Sequence, residues 1–275
     1  MITSRIGRVI PAVTFAIALS ATTDGLSTTI DLRSNHDTAL YSVDSSIGGH
    51  GHVQNFTSHP TGTGVFDPFL TVERRGGGSI EAGYNTDGHT ALYLNQQRPT
   101  WNTLLRRNEL AEIIVNNTAY YGFELDSNEP NAANKRNITI TEVQIYTSTA
   151  DNTAAVANDV GNLSALGTLR WDMSDTIILN SAVDVANGGS GFSDMMLYVP
   201  VSAFAGAGAN DFIWFYNVNG SVDLVGTQAS EAGFEEWRAV QGLSVPDGGS
   251  TLILFAFALM GCGLVTRRFK AAANR

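Results

Sequence analysis

The sequence predicts an all-β fold, a β-sandwich of jelly-roll-like type, and three observations predict it. Between residues 25 and 245 the apolar residues come in short runs or alternate with polar ones, and Gly, Asn, Asp and Ser bound them. Charged residues make up 15% of the 275, against about 25% in ordinary soluble domains. Gly, Ser, Thr and Asn fill the difference, as suits a β-rich extracellular protein. Only RPTWNTLLRRNELAEI has a pattern that admits a helix, and a short one.

Taken in chain order, strands are expected at GVFDPFLTVE (64–73), IEAGYN (80–85), TALYLN (90–95), AEIIVN (111–116) and AYYGFELD (119–126). They continue at NITITEVQIYTS (137–148), LGTLRWDM (166–173), TIILNSAVDV (176–185), DMMLYVPV (194–201) and DFIWFYNVNG (211–220). In the sixth, Ile138, Ile140, Val143 and Ile145 keep a period near two with a slip at Glu142, the mark of a bulge. The Gly/His-rich stretch 45–64 reads as a surface loop, and SEAGFEEWRAV is open between strand and turn. No repeat of fixed period is present, which disfavours a solenoid or propeller.

The net charge of −10 is unevenly spread. Arg5 and Arg8 stand near the start, and Arg267, Arg268, Lys270 and Arg275 near the end. Residues 22–245 hold ten basic against 25 acidic residues, a net charge of −15. Such a surface repels phosphate backbones, so nucleic-acid binding is not expected. The single cysteine, Cys262, lies in the apolar C-terminal stretch, so the body has no disulfide and no thiolate nucleophile.

Residues 1–21 have the composition of a secretory signal. A short positive region with Arg5 and Arg8 precedes an uncharged, mostly apolar run over 9–19, and small residues stand at Ala18 and Ser20. At the other end, VPDGGST leads into fifteen uncharged residues, 251–265, and then into Arg267 and Arg268. As a helix that run spans about 22 Å, short of the ~30 Å hydrocarbon core of a bilayer. The basic cluster behind it orients the C-terminus to the cytoplasm, which agrees with the N-terminal signal.

Val245, Pro246, Asp247, Gly248, Gly249, Ser250 and Thr251, the apolar segment and Arg267-Arg268 resemble the PEP-CTERM class of bacterial sorting tails, in its Val-Pro-Asp variant. The resemblance implies recognition by an exosortase-like membrane transpeptidase after Sec export and signal-peptidase cleavage. It also implies transient anchoring in the inner membrane, then delivery to the cell surface or extracellular matrix. The tail departs from the commonest form in having Gly249 and no second proline. The pieces GTGVFDPFLTV, EAGYNTDG, YYGFELDSNEP, ITITEVQIYTS, DMMLYVPVSAF and GFEEWRA, spanning 62–239, resemble an ectodomain recurrent among such sorted proteins. That likeness implies a surface protein of unassigned activity. The expected organisation is a signal peptide (1–21), an N-terminal extension with the Gly/His-rich loop (22–61), a sandwich (62–240) and a C-terminal sorting signal (245–270).

Candidate site residues are few. Asp126, Asn128 and Glu129 place oxygen donors close together after a strand, as a calcium loop does; turn-forming polar residues account for the same string. His50 and His52, with His36, His59 and His89, are either metal ligands or solvated loop histidines. Paired carboxylates for glycoside hydrolysis can be drawn from Glu124, Glu142, Asp172, Glu235 and Glu236, and adjacent Glu235 and Glu236 must face opposite ways on a strand. Trp214 and Trp237 are candidates for stacking on a sugar of extracellular polysaccharide, or else core residues. Nucleophile-elbow, zinc-protease and phosphate-loop motifs are missing. The expectation is therefore a non-catalytic protein with a structural or interaction role; a carbohydrate-binding module or a secreted glycoside hydrolase are the alternatives.

Overall fold

The computed structural model describes residues 27–33, 39–55, 67–74, 78–87, 101–130, 132–133, 135–152, 160–181, 193–220, 229–230 and 234–242. Fifteen strands form among them. They are β1 (Thr29–Asp31), β2 (Tyr41–Val43), β3 (Ser45–Ile47), β4 (Gly51–Asn55), β5 (Leu70–Val72), β6 (Ile80–Tyr84), β7 (Leu105–Arg106) and β8 (Glu112–Val115). The rest are β9 (Thr118–Asp126), β10 (Asn137–Ser148), β11 (Thr168–Met173), β12 (Thr176–Asn180), β13 (Met195–Pro200), β14 (Phe212–Gly220) and β15 (Glu235–Ala239). The helical segments are short 3₁₀ turns at Arg107–Glu109, Val160–Leu166 and Val201–Phe204.

Eight strands pair as a long hairpin rolled on itself. β5 pairs with β15, β6 with β14, β9 with β13 and β10 with β12, all antiparallel. The further pairings β9–β15 and β10–β14 join these into two sheets, ordered β12-β10-β14-β6 and β13-β9-β15-β5. That is the jelly roll, in which the chain crosses repeatedly from one sheet to the other and both sheets bury one face. Strands β1, β3, β7 and β11 widen the first sheet; β2, β4 and β8 widen the second.

The bulge expected at Glu142 is present: the pairing of β10 with β14 shifts between Ile140 and Glu142. Without it one half of the strand would turn its apolar side outward. With it, Ile138, Ile140, Val143 and Ile145 are all fully buried. The interior is aromatic at its centre. Phe215 lies 4.8 Å from Trp237 and 5.0 Å from Phe123, centroid to centroid, and 5.5 Å edge-on from Phe69. A second apolar cluster forms on the outside of the first sheet. There Tyr84, Tyr146, Trp214 and Tyr216 pack with Leu163, Ala165 and Leu166 of the 3₁₀ segment.

Three expectations are corrected. Stretch 45–64 is not all loop, because it contains β3 and β4; Gly51 and Val53 are buried while His52 and Gln54 are half-buried. Strands of Ser, Gly and His carry no apolar run to signal them, and pairing with β13 and β11 makes them. The extension 22–61 accordingly supplies β1 to β4 to the sandwich. The stretch that admits a short helix holds, among its described residues from Asn102 to Ile113, only the turn Arg107–Glu109 as a helical segment, following β7. Glu109 closes it by accepting the Arg106 N–H at 2.7 Å, and Leu105 and Leu110 are buried on either side. The open segment SEAGFEEWRAV contains β15. The strand expected at 90–95 lies outside the described residues, as do the segments 1–21 and 245–270 with the VPDGGST motif and Arg267-Arg268. No helix among the described residues is long and apolar enough to cross a membrane.

Candidate functional site

Strands β9 and β15 lie side by side, and alternation sorts their residues by face. Phe123, Leu125, Trp237 and Ala239 belong to the core between the sheets. Glu124 and Asp126 of β9 therefore project from the other face, opposite Arg238 and Glu236 of β15. The outer face of the second sheet thus carries one opposite-charge pair and, one step along, one like-charge pair.

The Arg238 guanidinium donates to the Glu124 carboxylate, which also accepts the Ser193 hydroxyl. Glu124 is 5% exposed, so the pair is largely withdrawn from water. Removing one partner of such a pair costs about 3–5 kcal/mol because a charge is left buried. Beside it opens a cleft of about 270 Å³ lined by Asp67, Glu124, Arg238, Ala239, Val240 and Gln241. Asp67 and Gln241 are exposed at its rim. In the like-charge pair, burial first and the Asp126 charge second push the Glu236 carboxyl up to about 7. A partly buried carboxyl beside another carboxylate is one of the settings that hold a proton at neutral pH.

Trp101 borders this face and is 42% exposed. Its carbonyl accepts the Thr71 hydroxyl at 3.3 Å, and Thr71 of β5 lies opposite Glu236. Two neighbouring bonds pin the segment along β5: the Thr71 N–H donates to Asn102 Oδ1 at 2.9 Å, and the Thr103 N–H to the Phe69 carbonyl at 2.9 Å.

The aromatic residues expected to stack on sugar are elsewhere. Trp237 is fully buried in the core, its indole N–H donating to Asn217 Oδ1 at 3.1 Å. Trp214 is fully buried in the second cluster, stacked on Phe212 at 5.7 Å, with its N–H on Ser148 Oγ at 2.8 Å. Neither ring is open to a ligand, since both faces of β14 and the inner face of β15 are covered.

The candidate calcium residues divide between environments. Asp126 ends β9 on the outer face, Asn128 donates its amide to the Phe234 carbonyl at 2.9 Å, and Glu129 is buried. Among the described residues no three His, Cys, Asp or Glu side chains come together as a metal site. His50 bonds Asp44 Oδ1 at 2.8 Å, and His52 packs on the Tyr120 ring at 5.2 Å. His36, His59 and His89 lie outside the described residues. Of the pool of acids, Glu142 and Asp172 stand near Gln144, which donates to Asp172 at 3.1 Å; burial, then the Asp172 charge, raises the Glu142 carboxyl. Glu235 turns inward and Glu236 outward, as adjacent strand residues must.

Trp101, Asp67 and Gln241 carry no sequence signal for this site. Arg238 has one: it is the only basic residue between Arg170 and Arg267, in an acidic stretch, with Glu236 two residues before it on the same face. Chemically the cleft offers two carboxylates, a guanidinium and a primary amide, while exposed Trp101 lies on the β5 side of the same face, outside the cleft lining. Planar hydrogen-bonding groups lining a cleft suit a hydroxyl-rich ligand. Comparison with family models, with curated proteins and with solved structures finds no match to this chain.

Proposed function

We propose that this is an exported cell-surface or extracellular-matrix protein with a non-catalytic interaction role, and that the outer face of its second sheet binds extracellular polysaccharide. The observation that carries the binding reading is the cleft beside the Glu124–Arg238 pair, with exposed Asp67 and Gln241 in its lining; Trp101 is exposed on the β5 side of the same sheet face. Export is supported by the basic–apolar–small order of residues 1–21 and by the VPDGGST, apolar and Arg267-Arg268 sequence. In this reading Sec machinery and signal peptidase act first. An exosortase-like transpeptidase then removes the tail.

Affinity electrophoresis of the protein in the producing cell's own polysaccharide tests the binding. Trp101→Ala and Gln241→Ala are expected to weaken it at least about tenfold, the loss of one stacking or hydrogen-bonding anchor. Unchanged mobility of both variants rejects the surface. Mass spectrometry tests the sorting: a Cys262-containing peptide retained on the exported protein rejects tail removal.

One observation favours a second reading, a secreted glycoside hydrolase. Glu236, pushed up to about 7 by burial and the Asp126 charge, is in the range where a carboxyl can serve as a general acid, and Asp126 stands opposite it as a second carboxyl. Hydrolysis of the same polysaccharide that Glu236→Gln abolishes without loss of binding would replace the non-catalytic reading with this one.

A further inference from the structure

Inside the sandwich, Glu81 of β6 and Glu235 of β15 meet across the two sheets, both fully buried. Glu81 is surrounded by donors. Asn219 gives its amide to Oε1 at 2.8 Å, Ser230 its hydroxyl to Oε2 at 3.2 Å, and the Arg74 backbone N–H adds a third. Glu235 is not: its oxygens meet only the Glu81 carboxyl and its own backbone N–H, no other side-chain donor reaches them, and the Asn219 carbonyl oxygen has no partner either. Asn219 lies beside Glu81 in the β14–β6 register, so these orphaned oxygens belong to one cluster. The Glu129 carboxylate adds its negative field at longer range. Gly220, at positive φ, follows Asn219; a Cβ there would stand 2.0 Å from the Ser79 carbonyl oxygen and 2.8 Å from the Ser230 nitrogen.

An ionised carboxylate buried without partners costs several kcal/mol, so something electropositive must complete the site. A proton shared between Glu235 and Glu81 satisfies one of the three orphaned oxygens. A cation satisfies all three and neutralises both carboxylates. We propose that Glu81, Glu235 and the Asn219 side-chain oxygen form an interior site for a hard divalent cation of the calcium class, tying the first sheet to the second. The ligand set is all oxygen, which selects calcium over thiophilic metals. With two carboxylates and an amide it contains no trio of acids or histidines.

The test uses the full-length protein stripped with EDTA. Saturating calcium is expected to raise the melting temperature by about 5–10 °C, the shift for a ligand at roughly 100 times its Kd. Glu235→Gln is expected to fold, since its amide can donate to Glu81, and to lose that shift. Two results overturn the proposal. One is no calcium response in the wild type together with a Glu235→Gln variant at least as stable, which assigns the pair to a shared proton. The other is an equal calcium response in both proteins, which places the ion elsewhere. Should the variant not fold, terbium emission decides. Trp237 is two residues along β15 on the same face as Glu235, so it should sensitise a bound terbium ion that calcium displaces. Absence of that emission also overturns the site.

Discussion

Glu236 and Asp126 face each other across β9 and β15, so folding brings two carboxyls together. The Glu236 carboxyl then sits near 7, above its ordinary 4.5. Between those values the folded chain holds a proton that the unfolded chain has lost. The stability contributed by that proton is complete below about pH 4.5 and disappears as pH rises through 7. Glu236→Gln should therefore be neutral at about pH 5 and stabilising by about 1–2 kcal/mol at about pH 8, after allowance for solvent screening. Urea denaturation at both pH values checks this, and an equal difference at each would refute the assignment. His52 acts in the opposite direction: burial lowers it, so its contribution is lost as pH falls below about 6.5. At this scale the sequence shows only residue types. Glu124 and Asp126 are legible as acids on a strand and Glu236 as an acid in a segment open between strand and turn, but their partners arrive from distant segments. Trp214 and Trp237 read as ambiguous because an indole serves a core and a sugar platform equally well. Only the number of layers around each decides.

The β8–β9 hairpin turns through Asn116 and Asn117, at φ 49° and 65°, between the paired residues Val115 and Thr118. Two successive left-handed residues define the two-residue hairpin turn that matches the twist of its strands. Asn tolerates that region better than other non-glycine residues, and Gly better still. Asn117→Gly is thus expected to raise stability by about 0.5 kcal/mol, and Asn116→Val to lower it by about 1–2 kcal/mol, both measurable by chemical denaturation. Opposite signs are the critical result. Elements of this kind were readable in advance: strands with alternating Ile, Val, Phe and Tyr, and even the bulge in β10, follow from the pattern of their own residues. The short strands β1 to β4 and β7 do not, because two to five residues rich in Ser, Gly and Thr become strands only when a neighbour supplies the hydrogen bonds. Likewise the helix that the pattern of 98–113 admits yields, in its described part, to Leu105 and Leu110, buried on either side of a single turn.

At the scale of the molecule, the rolled hairpin pairs the first of its eight strands with the last. β15 is consequently not an edge but sits between β5 and β9, with Trp237 at the centre of the core. A chain ending after Gly242 keeps every described strand and should retain a cooperative melt, with its midpoint within about 2 °C of the full-length protein. A chain ending after Ser230 loses β15 and should show no cooperative transition, since removing Trp237 alone forfeits about 3–5 kcal/mol. Circular dichroism melts of the two truncations compare them directly; a cooperative melt of the shorter one would contradict the pairing. Because such contacts join residues far apart in sequence, folding should be slow, in the millisecond-to-second range of all-β domains. The roll was predictable as a class from strand number and turn spacing. Which strand meets which was not, for that order is set by burial across the whole sheet pair.

The place of β15 also governs how the molecule bears mechanical load. A pull on the segment that follows it acts along the strand, against hydrogen bonds to β5 on one flank and β9 on the other. Those bonds are strained together in shear instead of being unzipped one at a time. If the sequence beyond residue 242 serves as a tether, it is moored at one of the positions in the sandwich best able to resist being drawn out.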